Sequence, residues 1–178
     1  APITIQVGTP PTLTITSPVN NSSYQAGNVI TYSATATNSN GQTLPDSAFT
    51  TEIVFHHSTH THPFSGVLPA TRTGQFAIPT TGETATDVYY TVNITAADAS
   101  GLSQTKSVQV NPVLVNLSFI TNPSNLAIFV DSQVVSTPRT IQSVAGLMRE
   151  VNVSPMQLLS GTYYQFDSWS DGGAMKHL

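Results

Sequence analysis

Apolar residues in this chain recur at every second position, and no stretch holds helical apolar spacing over three turns. The longest alternating run is DVYYTVNITAAD, residues 87–98. There Val88, Tyr90, Val92 and Ile94 fall on one side of an extended backbone and Asn93 on the other. Similar runs cover 12–17, 29–37, 49–57, 74–79 and 103–110, divided by turn-forming stretches such as PVNNSSYQAGN, NSNGQ, TTGET and ASGL.

Seven or so short strands at this spacing predict a β-sandwich of the immunoglobulin type over about 12–112, with residues 1–11 as a lead-in or linker. Asn111-Pro112 marks a boundary. A second set of runs follows at 113–121, 126–135, 139–144, 147–154, 162–170 and 174–178, with VDSQVV as a tight hairpin and DGG (171–173) as a turn. These predict a smaller antiparallel β-domain over 113–178. Its last run stops in mid-strand at Leu178, so the expectation is a domain lacking its last strand, with an edge open to self-association.

Composition agrees with an all-β chain. Ser and Thr make up about a quarter of the 178 residues, and only 8% are charged, about a third of the usual share. The net charge is −4 and the five Lys and Arg are scattered, which argues against nucleic acid and anionic membrane surfaces as partners. No apolar run approaches the roughly 20 residues of a membrane helix, so no membrane insertion is expected. Cysteine is absent, which excludes thiolate chemistry.

Asn-x-Ser/Thr sequons occur at Asn20, Asn21, Asn93, Asn116 and Asn152. Alternation puts Asn93, Asn116 and Asn152 opposite the apolar positions of their strands, where a glycan is tolerated. A secreted, extracellular glycoprotein is the expectation, although Asn on a polar face needs no glycan to explain it.

The segment FHHSTHTHPF (55–64) packs four of the five histidines into ten positions: His56, His57, His60 and His62. In an extended chain His60 and His62 share one side, about 6–7 Å apart. One of the adjacent pair His56 and His57 can return to them across a short turn. His57 shares the parity of Ile53, whereas His56 shares that of Glu52 and Val54. Three imidazoles suit one Zn²⁺ or Cu²⁺ and not Ca²⁺. The competing reading is a polar hairpin whose imidazoles hydrogen-bond to backbone and to Thr59 and Thr61.

Other constellations are weaker. Trp169, the sole tryptophan, and the pair Tyr89 and Tyr163 are candidate sugar-stacking platforms, though a single Trp in a small domain is more often a core anchor. Asp98 and Asp171 read as turn-shaping carboxylates, with Ca²⁺ held by Asp98 and nearby carbonyls as the weaker alternative at the first. No carboxylate pair is spaced for glycosidic acid–base work, and there is no G-x-S-x-G elbow, G-x-G-x-x-G or P-loop, so neither catalytic residues nor an organic cofactor are expected.

The run from PVNNSSYQAGN through FHHSTHTHPF to TTGETATDVYYTVNITAADASGL resembles one branch of PKD-like, immunoglobulin-type modules. The tail ending YQFDSWSDGGAMKHL resembles the small β-domain that follows that module in large secreted proteins, beside glucose/sorbosone dehydrogenase-like or other carbohydrate-active domains. The resemblance implies a non-catalytic accessory module acting as spacer, adhesion or polysaccharide-association unit, with polysaccharide or neighbouring protein domains as partners. Three features depart from it: Asn38-Ser39-Asn40-Gly41 stands where such modules often carry acids, Thr51 where they carry an aromatic, and the last strand expected after SWSDGGAMKHL is absent. The alternatives are a metal-binding β-domain centred on the histidines and a self-assembling protein joined through its open edge.

Overall fold

The structure, a computed structural model, describes residues 7–65 and 68–178. It is all-β, and the chain separates into two compact units. The first comprises residues 1–78 and 87–113, and the second 79–86 and 114–178. Of the expected lead-in, residues 1–6 lie outside the described residues; at its other end Pro11 is fully buried and belongs to the first core.

In the first unit the strands are β1 (Thr12–Ser17), β2 (Ser22–Tyr24), β3 (Val29–Thr37), β4 (Phe49–His57), β5 (His60–Pro63), β6 (Thr73–Ala77), β7 (Val88–Ala97) and β8 (Ser103–Pro112), with one 3-10 turn at Asp46–Ala48. They form a three-stranded sheet, β1-β3-β6, and a five-stranded sheet, β2-β8-β7-β4-β5. All pairings are antiparallel except β2 with β8. Alternation does the work that the pattern predicts. Along β7 every second residue from Val88 to Ala96 is buried, and Tyr32, Ala34 and Ala36 do the same on β3. Leu13, Phe49, Ile53, Val92, Ile94 and Val110 complete a dry centre. Thr51, standing at the departure noted above, is buried too.

The outward face of β4, β7 and β8 carries hydroxyls and amides that bond across strands. Thr95 meets Thr105 at 2.7 Å, and Asn93 accepts from Ser107 at 2.7 Å while donating to Glu52 at 3.4 Å. Asn20, Asn21 and Asn116 are exposed, whereas Asn93 and Asn152 are half-buried; the Asn152 side chain accepts its neighbour's Val153 N–H.

The second unit holds β9 (Leu114–Phe119), β10 (Ala127–Val130), β11 (Gln133–Ser136), β12 (Arg139–Val144), β13 (Val151–Asn152), β14 (Met156–Leu159) and β15 (Thr162–Gln165). They make three small sheets, β11-β10-β13, β12-β9 and β14-β15. The hairpin turn Asp131-Ser132 has positive φ at both residues, the twist that a two-residue turn requires. Its Asp131 carboxylate is ion-paired with Arg149 and accepts the Glu150 N–H at 3.0 Å. The buried apolar set is thin: Ile128, Val130, Val144 and Ala145. The run at 174–178 is a single antiparallel bridge of His177 to Val151 and not a strand. No helix among the described residues is long and apolar enough to cross a membrane.

Candidate metal centre

β4 and β5 form a hairpin closed by the two residues Ser58 and Thr59, with His57 directly opposite His60 and Phe55 opposite His62. Ser58 sits in the left-handed region at φ 49°, and Asp87 holds it there. The Ser58 hydroxyl donates to the Asp87 carboxylate at 3.0 Å, and the Ser58 N–H donates to the Asp87 carbonyl at 3.3 Å. Directly opposed residues of an antiparallel pair point to the same face, and so do residues two apart. The hairpin therefore places His57, His60 and His62 on one face.

The ligating nitrogens of these three imidazoles all lie within 4.8 Å of one another. His57 Nε2 and His62 Nε2 are 3.0 Å apart, and ring centroids are 4.0 Å apart for His57 and His60 and 5.3 Å for His60 and His62. A tetrahedral ion with bonds of about 2.0–2.1 Å wants nitrogens about 3.3–3.4 Å apart. The widest separation must thus close by at most about 1.5 Å, within reach of side-chain rotation at the exposed His60 and His62. The 3.0 Å contact also suits an N–H···N hydrogen bond between His57 and His62, which leaves His60 outside.

Beneath the cluster lies an aromatic floor. Phe55 stacks on His57 at 5.6 Å and touches Tyr90 at 4.9 Å; Tyr90 in turn meets Tyr24, Phe64 and Phe76. Burial pushes the Tyr90 phenol up to about 12. This apolar packing limits solvent on one side of the imidazoles and orients His57.

His56 is not part of the group. It lies on the opposite face, stacked on Tyr89 at 4.2 Å with its Nε2 3.0 Å from the Thr91 hydroxyl, and desolvation lowers its pKa. Parity excludes it, because its register partner Tyr89 faces outward while His57 pairs with the buried Val88.

The other candidates behave variously. Tyr89 is half-buried under His56, and Tyr163 is 69% exposed. Trp169 is half-buried rather than the centre of its core, with its indole N–H donating to the Met175 carbonyl at 3.1 Å. A recess in the second unit is lined by Trp169, Phe166 and Tyr164, not Tyr163. Sequence reasoning missed Tyr164, whose signal was its parity opposite Tyr163 on a strand that ends at Gln165. Asp98 accepts bonds from the Ser100 N–H and O–H and the Leu102 N–H, which hold its pKa down, and Asp171 accepts from the Gly173 N–H at 2.9 Å. Both shape turns, as expected. Comparison of the chain with protein-family models, with curated proteins and with solved structures finds no match.

Proposed function

We propose that this chain is a non-catalytic module of a larger secreted protein and that it carries one Zn²⁺ or Cu²⁺ on His57, His60 and His62. The observation that supports the metal is the convergence of three imidazole nitrogens, from both arms of one hairpin, within 4.8 Å. Imidazole is a borderline donor that suits these two ions, and an all-nitrogen set gives Ca²⁺ no oxygen to bind. An ion there bridges β4 and β5, so its part is structural, with the fourth position left to water or a donor from another molecule.

The finer reading of the first unit as an immunoglobulin/PKD-like sandwich draws support from its two sheets, whose alternating apolar residues are buried. Association with neutral polysaccharide is supported by the hydroxyl- and amide-bearing outer face of β4, β7 and β8, and glycosylation by the exposure of Asn20, Asn21 and Asn116.

Elemental analysis and calorimetric titration with Zn²⁺ and Cu²⁺ test the centre. The expected result is one ion per chain, with affinity lowered by more than about a hundredfold in His57→Ala and in His62→Ala, since losing a ligand exceeds the usual cost of losing an outer-shell partner. His56→Ala should bind as the parent does. Less than about 0.1 ion per chain under saturating metal, or equal loss in His56→Ala, rejects this site.

A further inference from the structure

The recess in the second unit is open to solvent on one side and has a volume of about 470 Å³, within the roughly 300–1,000 Å³ of small-molecule sites. Ile128 and Leu126 form part of its apolar wall, and Phe166, Trp169 and Tyr164 add three aromatic rings. Trp169 is fixed in orientation by its bond to Met175 and by its tilted contact with Phe166 at 5.8 Å. The polar groups are of one kind. Asn122, Gln165, Ser154 and Ser170 bring amides and hydroxyls, and Asp167 is the one ionisable group besides the Tyr164 phenol. Three other lining groups are already used: Gln157 bonds both the N–H and the carbonyl of Ala127, Thr121 bonds Thr137, and the Ser168 hydroxyl donates to Asp167 at 3.2 Å.

We infer that this recess is a binding site for a neutral saccharide, one or two pyranose rings long. Aromatic rings beside amides and hydroxyls match a ligand with apolar C–H faces and a rim of hydroxyls. A phosphate or other anion meets no cation in the lining and one carboxylate, so it is disfavoured. A purely apolar ligand leaves the amides of Asn122 and Gln165, both on exposed residues, without a partner on the ligand, whereas a sugar hydroxyl can bond either one. The site is independent of the histidine centre and stands or falls apart from it.

Trp169 is the only tryptophan in the chain, so its emission reports this recess directly. The full chain is titrated with maltose, cellobiose and chitobiose, each to about 10 mM, a range that captures weak binding. The expected result is a saturable change in emission with at least one of them. Tyr164→Ala should weaken that binding by about tenfold, the scale of one lost aromatic contact. Asn122→Ala should weaken it as well, and Tyr163→Ala should leave it unchanged. Far-UV circular dichroism confirms that each variant keeps its strands. No response to any of the three sugars, or a response insensitive to Tyr164→Ala and Asn122→Ala, overturns the inference. So does a response to an apolar dye alone.

Discussion

Phe55 joins the histidine cluster to the core, and truncating it separates the two. Its ring stacks on His57 at 5.6 Å and packs against Tyr90 at 4.9 Å, and the residue is half-buried. A fully buried Phe→Ala change costs about 3–5 kcal/mol, and half-burial scales this to about 2 kcal/mol, much of it in the two ring contacts. For a unit of this size that is a fall in Tm of about 8 °C. The same truncation frees His57 to leave the position in which it meets His62, without removing a ligand. Outer-shell losses of this type weaken metal binding by about 10–100-fold. Phe55→Leu keeps an apolar side chain but not the stack, so it should recover most of the stability and only part of the affinity. Scanning calorimetry of the metal-free protein gives the first quantity and Zn²⁺ titration the second. A Phe55→Ala variant that loses stability yet binds Zn²⁺ as before shows that the floor does not position His57, and a loss below about 0.5 kcal/mol shows that Phe55 does not tie the hairpin down.

Two further predictions concern the second unit. Arg149 is 12% exposed at its side chain and reaches both Asp131 and, at 3.3 Å, the buried Ser143 hydroxyl. Arg149→Ala strands a partly buried carboxylate and should cost about 2–3 kcal/mol in urea unfolding, with Asp131→Asn on that background recovering part of it; a loss under about 0.5 kcal/mol removes the pair from the account. His177 donates to the Ala174 carbonyl at 2.6 Å and contacts Asp171 at 3.0 Å. The Asp171 bond, then the Ala174 bond, raise the His177 pKa above 6.5, while the Gly173 N–H and then His177 hold Asp171 below 3.8. The His177 contribution is therefore complete below pH 6.5 and fades as pH rises through the raised value. The Asp171 contribution is present above 3.8 and fades as pH falls through the lowered one. NMR titration of the imidazole should show a raised midpoint that Asp171→Asn returns toward 6.5, and a midpoint at or below 6.5 in the parent refutes the pairing.

The strands that were legible are those with one face on a core. Along β7, burial switches at each residue because Val88, Tyr90, Val92 and Ile94 meet the buried set and Tyr89, Thr91 and Asn93 do not. Where no core disciplines a strand, the pattern is silent. β5 is four exposed residues whose one strand neighbour among the described residues is β4. β2 hides in a turn-rich stretch because its parallel pairing with β8 is a tertiary fact; its one local clue is Tyr24, which is buried. The β14–β15 hairpin had a readable signal in Ser160-Gly161, both at positive φ, the two-residue turn that joins Leu159 to Thr162. Trp169 lies past Gln165, where the strand stops and parity no longer says which way a side chain faces. The reach of residues 79–86 into the second unit has no signature in local sequence, since long-range contacts such as the Met148 N–H to Thr80 carbonyl bond carry it.

The histidine centre shows where parity ends and turn geometry takes over. His-x-His on a strand fixes His60 and His62 to one face, and parity also separates His56 from His57, but neither says which returns to them. That choice belongs to the loop. Two residues between the arms pair His57 with His60; a three-residue loop over 57–59 pairs His56 with His60 and puts a different imidazole in the cluster. Ser-Thr is not a strong two-residue turn sequence, because β-branched and non-glycine residues resist positive φ. Here Ser58 takes that conformation while bonded twice to Asp87, 29 positions away, at the start of the strand that pairs with β4. Which imidazoles converge is thus decided by the serine and the aspartate that set the turn, and a scan for histidine spacing passes over both.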